Sequence, residues 1–180
     1  KINGSDLMIT FPATGEAIYV VGALSNSGSK LEITFADGVV WTQDELVQAS
    51  IDGQISEGDD RVIGPLSLAA IYEGGKGNDE FDSDQGIDAW VFNRGDGRDL
   101  IVDSGGVNEV LTIRGYTAAD MRVHSTLDAT YTELVISFVG TDDEIVLRST
   151  RVASLGWVGV DIIQFSDGPS LLVTDLLAAA

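Results

Sequence analysis

The sequence contains no cysteine, one histidine, three prolines and only ten Lys and Arg residues among its 180 positions. Without cysteine, the chain has no disulfide, no thiolate metal ligand and no cysteine nucleophile. With so few basic residues, it lacks the positive face that nucleic acids require. No apolar run reaches the ~18 residues of a membrane span. These absences argue against a disulfide scaffold, a nucleic-acid binder and a membrane-spanning chain.

Acidic residues, by contrast, are abundant and concentrated in one segment. The 29 Asp and Glu residues give a formal net charge of -19, while 44% of the residues are hydrophobic. That hydrophobic fraction predicts a folded chain rather than a disordered acidic tail. Residues 52–103 hold 13 acidic and 4 basic residues and are rich in glycine. The charge distribution therefore favours a cation-binding segment in the middle of the chain.

The segments on either side of this acidic zone resemble each other. Asp6–Phe11 reads DLMITF and Glu133–Phe138 reads ELVISF, an offset of 127 residues. Ile33–Gly38 reads ITFADG and Ile163–Gly168 reads IQFSDG, an offset of 130 residues. The alternation of apolar and polar residues in these strings is typical of β-strands. The sequence thus predicts an internal duplication of a β-rich unit.

Turn and helix signals sit at matching points of the two copies. Asp37-Gly38 and Asp167-Gly168 follow strand-like strings and predict hairpin turns. Thr42 is followed three residues later by Glu45, a capping-box pattern that predicts the start of a short helix. Thr174 is the candidate for the start of its counterpart in the second copy.

The acidic segment is built around Gly74–Asp82, which reads GGKGNDEFD. This string fits the nonapeptide G-G-x-G-x-D-x-U-x, in which U is a large apolar residue. Less regular copies precede and follow it, and residues 65–73 carry Ala70 where an Asp is required. Each nonapeptide predicts a tight turn and a short strand whose apolar residue points inward. The predicted interior stack is Val62, Tyr72, Phe81, Trp90 and Ile101.

The spacing suits a calcium ion, which takes about six to eight oxygen ligands. Glycines allow turn carbonyls to approach the ion, and the Asp supplies a carboxylate. Because two repeats complete one coil, alternate Asp residues should share an edge. The first edge would carry Asp60, Asp79 and Asp99, and the second edge Ala70, Asp88 and Asn108. The candidate metal ligands are Asp60, Gly75, Lys76, Gly77, Asp79, Asp88, Gly95, Gly97 and Asp99.

We therefore expect calcium mainly on the first edge. Whether Asp88 binds calcium stays open at this point, because its partner position is Ala70.

Residues 58–103 resemble the RTX (repeats-in-toxin) haemolysin-type calcium-binding repeats. Leu7 to Leu46 and Leu111 to Leu176 resemble the haemolysin-type calcium-binding related domain. The resemblance implies an all-β fold, with a short parallel β-roll flanked by antiparallel strands. It divides the chain into the C-terminal half of a flanking unit (1–50), the roll (51–103) and a complete flanking unit (104–180).

The resemblance also implies a module of a larger secreted bacterial protein, exported by type I machinery and folding on calcium outside the cell. Its partners would be calcium ions and neighbouring repeats of the parent protein. No G-x-S-x-G, H-E-x-x-H or phosphate-loop pattern occurs, so we do not expect an enzyme.

Two alternatives remain open. The first is a calcium-dependent adhesion or carbohydrate-binding module for cell-surface polysaccharide, which an exposed aromatic patch near Trp157 or Tyr131 would favour. The second is a non-catalytic part of a secreted hydrolase or toxin.

Overall fold

The described part of the chain folds predominantly into β-strands, with two short helices. The computed structural model describes residues 6–25, 30–127, 131–150, 157–166 and 168–180. The strands are β1 (Leu7–Phe11), β2 (Glu16–Val20), β3 (Ile33–Thr34), β4 (Val40–Trp41), β5 (Arg61–Ile63), β6 (Ile71–Tyr72), β7 (Glu80–Ser83), β8 (Ala89–Asn93), β9 (Arg98–Asp103), β10 (Val110–Arg114), β11 (Met121–Leu127), β12 (Tyr131–Phe138), β13 (Glu144–Thr150), β14 (Ile162–Phe165) and β15 (Ser170–Leu172). The helices are α1 (Gln43–Asp52) and α2 (Val173–Ala179). Neither helix is long and apolar enough to cross a membrane.

Two mixed sheets dominate the structure. One has the order β11-β12-β13-β9-β7-β5 and the other β15-β14-β10-β8-β6. From β5 to β10 the chain alternates between these sheets, and successive strands within each sheet are parallel. Strands β13 and β14 continue the parallel pairing onto β9 and β10, whereas β11, β12 and β15 pair antiparallel. The two sheets therefore extend without a break from the acidic segment into the C-terminal third.

Alternate side chains of the parallel strands point between the two sheets. Along β8 the buried residues are Trp90 and Phe92, and their neighbours are only partly buried, as the two-residue period of a strand requires. All five members of the predicted interior stack are at most 3% exposed, which confirms that prediction. Tyr72 and Trp90 stack with ring centroids 5.6 Å apart. The core thus consists of stacked apolar side chains contributed by successive turns of the chain.

The internal duplication is confirmed by the strand pairing. Ile9 pairs with Ile18 in the first copy, and Ile136 pairs with Ile145 in the second. Ile33 pairs with Trp41, and Ile163 pairs with Leu171. These pairs keep the offsets of 127 and 130 residues read from the sequence.

The predicted turn at Asp37-Gly38 connects β3 and β4, with Gly38 at a φ of 88°. Asp167, in the matching turn of the second copy, lies outside the described residues.

Helix α1 begins where the sequence predicts. The Thr42 hydroxyl accepts a hydrogen bond from the Glu45 N–H, and the Glu45 carboxylate accepts one from the Thr42 N–H at 2.7 Å. Helix α2 begins at Val173, one residue before the expected Thr174, and its N-cap Leu172 offers no side-chain hydrogen bond.

Helix α1 and the residues just after it cover β5 and β6, the first strands of the two large sheets. The Gln48 amide donates to the Ile71 carbonyl and accepts from the Ile71 N–H. The Gln54 amide does the same with Ile63. Two glutamine side chains thus take the place of a further strand at the edges of β5 and β6.

Candidate functional site

The turns that precede β5, β7 and β9 stack on one another and form the first edge. Gly58, Gly77 and Gly97 occupy equivalent positions in the three turns. A Cβ on Gly77 would lie 2.7 Å from the Gly58 carbonyl oxygen, and one on Gly97 would collide with the Gly77 carbonyl. The φ values of Gly77 and Gly97, 138° and 111°, are also in the region that L side chains rarely adopt. Glycine is required here because successive turns pass so close to each other.

The Asp residues of these turns form a ladder along the first edge. Oδ1 of Asp79 accepts the Asp60 N–H at 2.9 Å, and Oδ1 of Asp99 accepts the Asp79 N–H at 3.1 Å. Each carboxylate therefore reaches back to the preceding turn. The three Asp residues predicted to share an edge do share it, and parallel pairing of β5, β7 and β9 sets their register.

These carboxyl groups lie in surroundings that disfavour their charged form. Asp79 is 1% exposed and Asp99 is 4% exposed. Burial, partly offset by the hydrogen bond from the Asp79 backbone, raises the pKa of Asp99 to about 7. Burial and the neighbouring carboxylates also raise the pKa of Asp79, whose buried Oδ2 has no hydrogen-bond partner among the described residues. The edge thus concentrates acidic oxygens, and no ion pair within the described part of the chain neutralises Asp79 or Asp99.

The other predicted first-edge residues lie in the same turns. Gly75 has a φ of 81°, and a Cβ there would face the Ser56 carbonyl of the preceding turn at 3.7 Å. The Lys76 side chain is exposed, so only its backbone could contribute a ligand. Gly95 donates its N–H to Oδ2 of Asp143 at 2.6 Å.

Asp143 is a residue that the sequence reasoning missed. It is 7% exposed and lies just before β13, on the side where that strand pairs with β9. Besides Gly95, its Oδ2 accepts the Tyr116 hydroxyl at 2.5 Å. The signal that could have placed Asp143 was its position one residue before a strand of the duplicated unit.

The second edge differs from the sequence prediction in one residue. Oδ1 of Asp88 accepts the Ala70 N–H at 2.9 Å, so those two residues are neighbours as expected. However, Val110 pairs with Ala89, which places Glu109, not Asn108, beside Asp88. The assignment of Asn108 was wrong because this turn contains one extra residue. Asn108 accommodates the extra residue by adopting a φ of 61°, a left-handed conformation that Asn tolerates better than most residues.

With Glu109 beside Asp88, the second edge holds a group of buried acidic side chains. Asp88, Asp103 and Glu109 are exposed by 2%, 1% and 0%. Burial raises the pKa of Asp88 to about 7. Burial, followed by hydrogen bonding and repulsion from Asp103, raises the pKa of Glu109 to about 10. Asp103 and Glu109 carry no turn motif, so the nonapeptide spacing did not mark them.

The donor set of both edges fits calcium better than other metals, because it consists of carboxylate and carbonyl oxygens without Cys or His. Within the described ranges, no three Asp, Glu or His side chains converge into a metal cage. Calcium does not require such a cage, since turn carbonyls can complete its coordination. Oδ2 of Asp79, which has no hydrogen-bond partner in the described part of the chain, fits this donor set as a buried carboxylate oxygen.

The two aromatic residues that an adhesive surface would use are engaged within the protein. The Trp157 indole N–H donates to the Val160 carbonyl at 3.0 Å. The Arg148 guanidinium lies over the Tyr131 ring, 4.9 Å from its centroid. His124 is exposed on β11, as expected of a surface strand residue.

Comparison with protein families matches residues 6–45 to the haemolysin-type calcium binding protein related domain. The match covers less than a quarter of the chain and coincides with the first copy of the duplicated unit. No curated protein matches the sequence.

Proposed function

We propose that this chain is a calcium-binding module of a larger secreted bacterial protein, and that calcium closes its acidic turns into a β-roll. The observation that carries the proposal is the ladder of Asp60, Asp79 and Asp99 along the first edge. The family match beside this ladder supports the same reading.

The carboxylates of Asp60, Asp79 and Asp99 would hold the ions together with backbone carbonyls of their turns. The predicted contributors of carbonyls are Gly75, Lys76, Gly77, Gly95 and Gly97. When bound, calcium supplies positive charge and bridging coordination between successive turns. The stacked glycines keep the turns close enough for one ion to be shared.

The proposed mechanism is folding controlled by calcium. Without the ion, buried carboxylates of like charge oppose the approach of successive turns. Ion binding to the folded state alone converts binding free energy into folding free energy. Sites with dissociation constants on the order of 10⁻⁴–10⁻³ M would stay empty in the cytosol and fill outside the cell. We propose a binding role rather than a catalytic one.

A calcium titration of the chelator-treated protein tests this function. Far-ultraviolet circular dichroism and tryptophan fluorescence should show a gain of β-structure and a blue shift with calcium but not with magnesium. Asp79→Asn and Asp99→Asn should each raise the calcium midpoint by about tenfold or more, since a charged ligand is lost.

The matched control is Asp82→Asn. It makes the same change of charge on the outer face of β7, where the side chain is 43% exposed and pairs with Arg61. This variant should titrate as the unmodified protein does. If calcium changes neither spectrum and calorimetry detects no binding, the function proposed here is wrong.

A further inference from the structure

The hairpin formed by β1 and β2 lacks a neighbour that its second copy has. In the second copy, β13 pairs in parallel with β9, so that Val146 lies beside Leu100. The equivalent strand β2 pairs only with β1 among the described strands. Between Ala17 and Val21 it carries no charged residue and no proline, the features with which edge strands usually prevent pairing with another strand. Strand β2 therefore presents an unprotected edge.

The backbone of β2 is oriented for the missing pairing. In the second copy, the Glu144 N–H donates to the Gly97 carbonyl of the neighbouring turn at 2.9 Å. Ala17 is the counterpart of Glu144 at the offset of 127 residues. The Gly22 N–H points toward the β1 side, since it donates to Oδ1 of Asp6 at 2.8 Å. Because N–H groups alternate sides along a strand, three of them point away from β1. They are the N–H groups of Ala17, Tyr19 and Val21.

Strand β3 lacks the corresponding neighbour in its own sheet. Its counterpart β14 pairs in parallel with β10, and Ile163 and Phe165 are at most 1% exposed. In the first copy, β3 pairs only with β4 among the described strands, and Ile33 and Phe35 remain partly exposed. A partner with two parallel strands would thus match both β2 and β3, as β9 and β10 match β13 and β14.

An apolar cavity lies beside the same hairpin. It has a volume of ≈ 560 Å³, and its lining includes Phe11, Trp41 and Leu46. In the second copy, the counterpart of Phe11 is Phe138, which stacks against two aromatic rings of the neighbouring strands and turns. They are Phe92 of β8 and Tyr116, just after β10. The cavity therefore offers Phe11 a place for rings of the kind that cover Phe138.

We infer that β2 and β3 form the docking surface for a second roll of the parent protein, meaning a glycine-rich acidic segment with parallel strands like β5–β10. The partner would pair one strand with β2 and one with β3, and would place an aromatic side chain in the cavity. Its strands would have the chemistry of β9 and β10, with apolar residues at alternate positions. This inference rests on the proposed function, which takes the chain as a module of a larger protein.

A second copy of this chain does not offer the required strands. Strand β9 is already paired on both sides, with β7 and β13, and β10 is paired with β8 and β14. The outer edges of β5 and β6 are bonded to Gln54 and Gln48 at Ile63 and Ile71. A roll elsewhere in the parent protein is therefore the better occupant.

An extended chain tests the inference. Residues 42–132, which comprise α1, the roll and the strands β10 and β11, are placed directly before Asp6, as they stand before Glu133 in the unmodified chain. In calcium, hydrogen exchange at the Tyr19 and Val21 amides of the original hairpin is followed by NMR. It should be at least about tenfold slower in the extended chain than in the unmodified chain. Circular dichroism and equilibrium dialysis of calcium check that the added roll folds.

Proline substitution provides a matched pair of variants. Tyr19→Pro removes one N–H from the unprotected edge and keeps the pairing of β2 with β1, because proline is tolerated where the N–H faces solvent. It should leave the unmodified chain folded and return Val21 exchange in the extended chain to the rate of the unmodified chain. Val146→Pro makes the same change on β13, whose edge is occupied, and should unfold that strand in both chains.

Ile18→Asp is a second variant of the docking surface. Ile18 is 51% exposed, whereas its counterpart Ile145 is fully buried beneath the neighbouring strands. A charge at this position should be tolerated in the unmodified chain and should restore fast exchange at Tyr19 and Val21 in the extended chain.

The outcomes separate this inference from the function proposed above. If Tyr19 and Val21 exchange equally fast in both chains although calcium binding shows a second folded roll, the docking surface is refuted and the proposed function stands. If neither chain binds calcium, the proposed function fails, whereas slowed exchange in the extended chain would still support the docking. An added roll that stays unfolded while the original one folds contradicts the inference.

Sedimentation of the unmodified chain tests the remaining occupant. We expect a monomer whose Tyr19 and Val21 amides exchange rapidly. A dimer in which these amides are already protected, and which Tyr19→Pro dissociates, would show that a second copy covers the edge and that the inference is wrong.

Discussion

The two copies of the duplicated unit have matching strands and very different surroundings. In the second copy, β13 lies on β9, and Ile145 and Val146 are 0% and 8% exposed. In the first copy, β2 pairs only with β1 among the described strands, and Ile18 and Tyr19 are 51% and 60% exposed. Equivalent sequence patterns therefore form the same hairpin, but a neighbouring strand decides whether that hairpin becomes core.

The aromatic residues at the ends of the two hairpins show the same contrast. Phe138 stacks against Tyr116 and Phe92, at centroid distances of 4.0 and 6.0 Å. Its counterpart Phe11 is 38% exposed and borders a cavity of ≈ 560 Å³ between the hairpin and α1. The first copy is thus less tightly packed than the second.

The largest effect should come from truncating equivalent isoleucines. Ile145→Ala removes a fully buried side chain and should lower the free energy of unfolding by about 2–5 kcal/mol. Ile18→Ala acts on a side chain that is half exposed and should change it by about 0.5 kcal/mol or less. Urea unfolding at saturating calcium measures both values. Equal losses would show that β2 is as well packed as β13.

When calcium is removed, the stability of the folded chain should depend on pH. The pKa values of Asp88 and Asp99 are raised to about 7 in the folded chain, whereas unfolded Asp titrates near about 4. Between these values the folded state binds more protons than the unfolded state. The contribution of these two carboxyl groups to stability should therefore be full below about pH 4 and be lost as the pH rises through about 7, by on the order of a few kcal/mol.

The two copies should report this pH effect differently. No carboxyl group among the described residues of the first copy, 6–25 and 30–52, is buried. Single-tryptophan variants retaining Trp90 or Trp41 can follow each region separately in chelator. Trp90 fluorescence should change between pH 5 and 8 and that of Trp41 much less. A uniform response would mean that the two regions unfold together.

The Gln48 side chain at the edge of β6 should contribute to stability, whereas a glutamine at the equivalent position of α2 should not. Gln48→Ala removes both hydrogen bonds to the Ile71 backbone and should lower the free energy of unfolding by about 1–2 kcal/mol. Ala178 is the equivalent residue of α2, and Ala178→Gln should have little effect. Thermal unfolding compares the two variants. A stabilising effect of Ala178→Gln would reveal an unpaired backbone near α2.

The smallest effect should come from the helix starts. Thr42→Ala breaks the capping box of α1 and should lower the free energy of unfolding by about 1 kcal/mol. The equivalent residue before α2 is Leu172, which makes no side-chain cap. Leu172→Thr should raise the free energy of unfolding by no more than about 1 kcal/mol. Chemical denaturation of both variants checks the sign of each change.

Several features followed from the sequence because they depend on local patterns. The Thr42 capping box and the interior position of Trp90 depend on residues close together in the chain, and the duplication is visible in short strings that recur along it. The first-edge ladder followed as well, since a constant repeat length keeps Asp60, Asp79 and Asp99 in register.

The features that could not be predicted depend on register after an irregularity. One extra residue at Asn108 moves Glu109 into the position assigned to Asn108, and no pattern in the turn marks the shift. Likewise, β13 pairs with β9 although residues 104–143 lie between the two strands, and this pairing brings Asp143 to Gly95. Nonapeptide spacing carries no information about such returns of the chain.

The Gln48 and Gln54 amides should limit the association of molecules through the edges of β5 and β6 at high concentration. An open strand edge recruits further strands, and a parallel ladder can then lengthen into a fibre. Here the backbone N–H and C=O groups of Ile63 and Ile71 are already hydrogen-bonded to the two glutamines. Another molecule therefore finds no free backbone group at these residues. The two glutamines therefore oppose the addition of further strands at Ile63 and Ile71, at any protein concentration.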